Sequence, residues 1–376
     1  MQLELIKRDR PSLTMQFASP FLALALTLVS SGIMFAVMGF NPLAALYEYF
    51  VAPLTELWSI WELLLKAAPL VLIALGLAVC YRANIWNIGA EGQFTIGALF
   101  GSIPPILFPE WTGPLTLPLM LLMGIVGGAF YGSIPAYLKV RFGANEILTS
   151  LMLAYISLLI LDYLVRGPWR DPGGFNFPES RNFSDEQSLP TLIQGSRLHL
   201  GVVISFAMVP VMWFFMSRTL AGHAVKVAGE APKASRFAGF SANGITYGAL
   251  LVSGGLAGLA GIMEVAGPIG ELRPTISPGY GFTAIIVAFL GRLNPVGILL
   301  AGLLLSLSYL GGEAAQITLG LSDKMARVVQ GMLLFFVLGC DTLVRYRIRL
   351  SFGGQRAAAE AGSTAPTTAR EATDAA

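Results

Sequence analysis

Four polar side chains, Asn84, Asn87, Glu91 and Gln93, fall within ten residues at the start of a long apolar run. Amides and a carboxylate so spaced do hydrogen-bonding chemistry, and at the edge of an apolar medium such groups are costly unless they pair or face water. Two uses fit: a polar network that pins a broken helix, or the lining of a path for a hydrogen-bonding solute. A second set, Asn145, Glu146, Thr149 and Ser150, opens another apolar run. Glu146 and Ser150 share one helical face and Asn145 and Thr149 the adjacent one, a stripe suited to a path. A third set is basic: Lys233 and Arg236, three apart, share a face of a short helix that Pro232 opens and Gly239 ends, with Ala234 and Ala238 on a small-residue face. That pattern fits a helix docking in a partner's groove, or one lying on lipid headgroups.

Covalent chemistry has no such set. A GxxxxGK followed by Ser or Thr is absent, so nucleotide phosphates have no P-loop here. His199 and His223 are the only histidines, and HExxH, CxxC and GxSxG do not occur, which removes metal hydrolysis and serine-type acyl transfer. Asp162, Glu264 and Glu313 sit on different apolar runs without a shared motif. Cys80 and Cys340 suggest neither a disulfide framework nor a thiolate metal site. No catalytic residue, metal or cofactor of the chain's own is expected.

The elements that position these groups are membrane helices. Of 376 residues, 55% are hydrophobic and 12% charged, about half the usual charged share, and the mean hydropathy is +0.68. The 42 glycines suit close helix packing. Apolar runs predict spans at 21–40, 63–81, 93–108, 115–135, 147–165, 200–216, 247–266, 280–290, 296–310 and 326–343, about ten in an all-α bundle. Run 280–290 is too short to cross alone. Pro278, Gly279 and Gly281 before it and Arg292 to Pro295 after it mark a broken or re-entrant helix, whose N-terminal dipole end favours an anionic or hydrogen-bonding group. One side of this arrangement carries 16 Lys and Arg against six on the other, which puts both termini in the cytoplasm. The weakly basic balance gives no nucleic-acid surface.

Residues 1–20 form a cytoplasmic N-terminal segment, 21–345 the transmembrane domain, and 346–376 a structureless cytoplasmic tail. Within the domain, 166–197 is an external polar loop and 217–244 the longest internal one. The ionisable Lys66, Asp162 and Glu264 lie near span ends, where snorkelling accounts for them, so a gradient-driven secondary transporter fits less well.

Four segments, NIWNIGAEGQFTIGA (84–98), GANEILTSLMLAYI (143–156), VAGEAPKASRFAGF (227–240) and SPGYGFTAIIVAFLGRLNPVG (277–297), resemble the permeases of branched-chain amino acid and ribose type ABC importers. The nucleoside and simple-sugar branch is the nearest. The resemblance covers roughly 60–340. It implies a permease of a bacterial inner membrane that works with an ATP-binding subunit, a second permease and a lipid-anchored or periplasmic binding protein. ATP and Mg would be held by the partner ATPase. It also implies a coupling helix seated in that ATPase, carried by Gly229, Glu230, Pro232, Lys233, Ala234, Arg236 and Gly239, although Ala231 and Ser235 stand where Asn and Ala are common. Asn84, Asn87, Glu91, Gln93, Asn145, Glu146, Thr149 and Phe282 are the candidates for the translocation path. A nucleoside would use amides for ribose hydroxyls and aromatic faces for the base, with Trp86, Tyr155, Phe282 and Phe289 as stacking candidates, although ordinary packing explains each of them better. A simple sugar is the alternative, and a branched-chain amino acid is disfavoured.

Overall fold

A computed structural model describes residues 2–7, 13–111 and 113–351. In chain order these form β1 (Gln2–Lys7), α1 (Leu13–Val37), α2 (Pro42–Phe50), α3 (Leu57–Arg82), α4 (Ala90–Gly101), α5 (Ile103–Leu107), α6 (Thr116–Phe142), α7 (Glu146–Arg166) and α8 (Leu200–Arg218). There follow α9 (Leu220–Glu230), α10 (Pro232–Phe237), α11 (Ala242–Glu264), α12 (Tyr280–Leu290), α13 (Pro295–Leu319), α14 (Asp323–Arg345) and β2 (Tyr346–Ser351). Among the described residues, six helices are long and apolar enough to cross a membrane: α3, α6, α7, α8, α13, and α11 extended by a π turn to Ile269. Phe21–Val37, Tyr280–Leu290 and Arg327–Val337 are shorter apolar stretches.

Two features depart from the all-helical expectation. Strands β1 and β2 pair antiparallel, Gln2 opposite Ser351 and Lys7 opposite Tyr346, so residues 346–351 are a strand and not the start of a structureless tail. Alternation in YRIRLS and QLELIK supplies the period of two that such a pair needs. The rest of the expected tail, 352–376, lies outside the described residues. The run 93–108 is likewise not one helix. It breaks at Ser102, where Pro104 and Pro105 follow, because a proline ring removes a backbone donor and clashes with the preceding turn.

The chain divides into two compact units, one from the residues before Phe35 and after Gln330, the other Phe35–Gln330. In the larger unit α3 is the axis, buried almost along its whole length. Against it α11 crosses α4 and α6 backbone to backbone. A Cβ added at Gly97 would lie 2.1 Å from Gly258 Cα, and one at Gly128 would lie 2.2 Å from Gly254 O. Helices meeting this closely gain dispersion contacts, the main attraction available where lipid is as apolar as the side chains. Gly97→Leu is therefore expected to force α4 and α11 apart, at about 3 kcal/mol or more. The recovery of monodisperse protein from detergent-solubilised membranes should drop severalfold.

Helix α2 was not legible as a separate element. Asn41 caps it by accepting from Leu43 N at 3.0 Å, and Tyr49 on it is buried with its hydroxyl 2.9 Å from Ser308 Oγ on α13. The polar loop between α7 and α8 folds back onto the end of α11 as a lid. Leu189 N donates to Ala266 O (2.7 Å), Phe183 N to Gly270 O (2.8 Å) and Ser180 N to Leu272 O (3.0 Å).

Candidate functional site

After α3 ends at Arg82 the chain turns through Asn84, whose φ of 57° is the left-handed conformation that asparagine tolerates best among side-chain-bearing residues. It then re-enters the bundle before α4 begins. Asn87 on this irregular stretch is fully buried. Its Nδ2 donates to Gln93 Oε1 (2.9 Å) and Ser253 Oγ (3.0 Å), and its Oδ1 accepts from Gly89 N (3.0 Å) and Gln93 Nε2 (3.3 Å). An amide side chain has two donors and two acceptor positions, so Asn87 is fully used by the chain itself. Tyr81 OH donates to Asn87 O (2.9 Å), and Ile88 N donates to Ser150 Oγ (3.1 Å), which ties the stretch to α7. Of the four polar residues, Asn84 alone is exposed.

Glu91 has a different use. It sits buried in the first turn of α4, and its Oε2 accepts from Gly281 N at 2.6 Å, the first turn of α12. The two helix N-termini abut: a Cβ at Gly281 would lie 2.2 Å from Glu91 N. Two positive dipole ends that face each other call for an anion, and the chain supplies its own carboxylate. The dipole end of the broken helix, expected to attract a ligand, is filled by Glu91. Ser277 Oγ completes the cap, accepting from Gly279 N (3.0 Å) and Tyr280 N (2.9 Å).

On α7, Asn145 caps the helix by accepting from Ile147 N (2.9 Å), Thr149 Oγ1 donates to Asn145 O (3.0 Å), and Glu146 pairs with Lys139. Phe282 is partly buried on α12. Trp86 and Phe289 stack at 5.9 Å between centroids, and Tyr81 stacks on Phe289 at 4.9 Å. Tyr155 projects from the outer face of α7, 56% exposed and apart from this cluster.

The segment 217–244 holds two helices where one was expected. Thr219 caps α9, its Oγ1 accepting from Gly222 N at 3.0 Å. Near the other end Gly229 lies on the last turn of α3, where an added Cβ would be 1.9 Å from Arg82 O. Glu230, the last residue of α9, is exposed. Pro232 opens α10 as expected, and Gly239 follows it at φ 82°, a conformation that favours glycine. Lys233, Ala234 and Arg236 face outward, and Phe237 is 94% exposed. The sequence-based candidates missed Phe237. The signal was there, an aromatic next to a basic pair on a two-turn helix.

Residues 59–338 match the family described as the branched-chain amino acid transport system, permease component. The chain belongs to this family. It is 33% identical to a glucose ABC transporter permease of Haloferax volcanii over 94% of this chain and 95% of that one. It is 29% identical to a nucleoside ABC transporter permease of Lactococcus lactis (85% and 89%) and to a guanosine ABC transporter permease of Bacillus subtilis (89% and 95%). The permease is thus a multi-pass protein of the cell membrane and not an enzyme. ATP is hydrolysed by a separate ATP-binding subunit, and a substrate-binding protein completes the system.

The permease also holds charges that sequence reasoning assigned to snorkelling. Lys66 Nζ bonds Glu313 Oε1 at 2.8 Å, from α3 to α13. Arg197 grips buried Glu62 with two bonds, Nε to Oε1 (3.0 Å) and Nη2 to Oε2 (2.5 Å). The hydrogen bonds that Arg197 donates to Glu62 outweigh the cost of burial and hold its guanidinium even more firmly protonated than usual.

His199, two residues on, is buried and caps α8 by accepting from Gly201 N at 3.1 Å, which requires a neutral ring. Burial pushes its pKa down from 6.5 to about 4. Between those values the unfolded chain binds a proton that the folded one refuses, so stability falls as pH drops through that window, by roughly 3 kcal/mol in all. Thermal aggregation of detergent-solubilised protein should start at lower temperature at pH 5 than at pH 7. His199→Asn, which can still cap, should flatten the difference.

Proposed function

We propose that this chain is the permease subunit of an ATP-driven importer for a neutral, hydroxyl-rich solute, a nucleoside in the first place. The observation that carries the reading is near-full-length similarity to permeases described as nucleoside and guanosine transporters. The 33% identity to a glucose permease favours a simple sugar as the second reading. Both solutes offer vicinal hydroxyls and no net charge. A branched-chain amino acid, a zwitterion with two full charges, has no vicinal hydroxyls.

In this reading α1, α3, α4, α6, α7, α8, α11, α12, α13 and α14 make ten crossings, with both termini cytoplasmic as the Lys and Arg balance supports. Helices α9 and α10 then face the cytoplasm and seat in the ATP-binding subunit, which holds ATP and Mg. The lid between α7 and α8 faces the lipid-anchored or periplasmic binding protein. A second permease subunit, identical or related, completes the pore. Closure of the ATPase moves α10 and biases the bundle between inward-facing and outward-facing states. The break around Asn87 and Glu91 serves as a fixed joint, since its polar groups are committed to the chain.

Uptake of labelled guanosine and adenosine into cells with and without this chain, competed by unlabelled uridine, ribose, glucose and leucine, tests the reading. Nucleoside uptake lost on deletion and blocked by uridine supports it. Lost glucose or ribose uptake with nucleoside uptake intact replaces it by the sugar reading, and leucine-competed uptake overturns both.

A further inference from the structure

A cavity of about 340 Å³ opens between α8, α9 and α11, with Val79 of α3 as its floor. Phe215 of α8 and Ala224 of α9 stand on one side, and Gly244, Gly248 and Val252 of α11 on the other. The two glycines are four apart and share a face of α11, the spacing at which membrane helices meet a neighbour closely. Among the described residues these two meet none. A Cβ added at Gly248 would have nothing within 4 Å, and one at Gly244 would touch only Ser241, the cap of its own helix. Gly97, Gly128 and Gly258, in contrast, are pressed onto another backbone.

The groove suits an apolar occupant. Of its twelve lining residues only Ser241 has a polar side chain, and its Oγ accepts from Gly244 N (3.2 Å). Neighbouring hydroxyls are turned to their own helices: Thr246 Oγ1 donates to Ala242 O (3.0 Å) and Ser217 Oγ to Trp213 O (2.6 Å). Val211, one turn before Phe215, and Leu251, beside Val252, are exposed on helices long and apolar enough to span, so hydrocarbon is the medium at this face. From Ser241 to Val252 the groove follows eleven residues of α11, about 16 Å, and each leaflet supplies about half of a hydrocarbon core of roughly 30 Å. The groove is thus one leaflet deep. A further helix does not fit inside it, since 16 Å of a helix 10–12 Å across takes about 1,300 Å³, several times the space. A single file of methylenes does. The segment 217–244, which borders the groove at its Ser241 end, is strongly basic: Arg218, Lys226, Lys233 and Arg236 are exposed there against one acid, Glu230. Four cations to one carboxylate where a span meets water complement an anionic headgroup.

We infer that this groove holds an acyl chain of an anionic phospholipid from the cytoplasmic leaflet, which braces α9 against α11 on the two sides of α10. The inference rests on the reading that places α9 and α10 at the cytoplasmic face and couples them to the ATP-binding subunit, and it adds a regulator to that reading. Helix α10 hangs between α9, which ends at Glu230, and α11, which starts at Ala242, so the spacing of these two supports limits how α10 shifts when the ATPase closes. A lipid that fits one spacing better than another favours the bundle state with that spacing.

The test uses the transporter assembled in cells, purified with its partner subunits and placed in nanodiscs of phosphatidylcholine with or without phosphatidylglycerol. Mass spectrometry reads the phospholipid that each complex retains through a detergent wash, and ATP turnover is read in the discs. The wild type is expected to retain phosphatidylglycerol over phosphatidylcholine by about tenfold or more, and to turn over ATP about threefold faster when phosphatidylglycerol is present. Gly248→Leu fills the groove from a position where a side chain has room, so it should accumulate normally and lose both the retained lipid and the response. Gly244→Leu enters the same groove and decides the matter if Gly248→Leu fails to accumulate. Arg218→Gln with Lys226→Gln leaves the groove open and should keep a lipid but not the preference for phosphatidylglycerol. Wild-type retention in the leucine variants, equal retention of both lipids by the wild type, or a wild-type turnover that ignores phosphatidylglycerol overturns the inference. So does a Gly248→Cys variant that cross-links to a partner subunit, which makes the groove a protein contact. A complex that retains phosphatidylglycerol selectively yet turns over no ATP in either kind of disc overturns the coupling reading and leaves the lipid site standing.

Discussion

Glu91→Ala is expected to leave little assembled transporter in the membrane, below about a tenth of the wild-type amount. The carboxylate accepts from Gly281 N at 2.6 Å where the first turns of α4 and α12 meet. Its removal strands backbone donors of α12 in a site that water does not reach and leaves two positive helix ends facing each other. A charged hydrogen bond of this kind is worth roughly 2 kcal/mol, and an unpaired buried donor costs a similar amount, so the total of about 4 kcal/mol is a large part of a domain's stability. Glu91→Gln keeps an acceptor and loses the charge, and should retain about half of the loss. Quantifying both variants by immunoblot of membranes and by the thermal stability of the solubilised protein checks the order Ala below Gln below wild type. Equal accumulation of all three would show that α12 needs no anion at its start.

Why Glu91 was not legible as a cap follows from distance along the chain. Its partner Gly281 is 190 residues away, and Lys66 is 247 residues from Glu313. Hydrophobic run length reads what each segment does by itself, so α12 appeared with its observed ends, 280 and 290, and Pro232 and Gly239 bracketed α10. Long-range pairing leaves no periodic mark. A lone charge in an apolar run looks the same whether it snorkels or meets an opposite charge on another helix. The partner of Lys66 was invisible for that reason. The break at Ser102 was hidden by the opposite effect, since the run stays apolar on both sides and only Pro104 and Pro105 betray it. Glycines were visible as a composition, yet which of them touch became clear only when Gly97 met Gly258 and Gly128 met Gly254. The amides were the most ambiguous group. Asn87 and Gln93 suit a network and a path equally by type, and their use is decided by Ser253, which sits on α11.

The second large effect follows from the proposal that α9 and α10 couple the ATP-binding subunit to the bundle, in which case two substitutions should separate seating from transmission. Phe237 stands 94% exposed between Arg236 and Ala238 on a two-turn helix, the form of an anchor that fills a pocket on a partner. Phe237→Ala is expected to weaken co-purification of the ATP-binding subunit by about tenfold or more, with uptake and transport-linked ATP hydrolysis lost together. Gly229 acts one step further in. A Cβ there would lie 1.9 Å from the Arg82 carbonyl oxygen, so a side chain would lift α9 off the end of α3. Because α10 itself is untouched, Gly229→Val should still bind the ATPase and still support ATP hydrolysis, while uptake falls by about tenfold or more, since the lever moves without its bearing on α3. Exposed Glu230 follows Gly229 at the end of α9, and Glu230→Ala should show a smaller loss of the same kind. Reconstituted transporter, assayed for ATP turnover and for uptake in one preparation, reads both ratios. If Gly229→Val lost the ATPase along with uptake, α9 and α10 would dock as one rigid piece. The contact with Arg82 would then serve seating and not transmission.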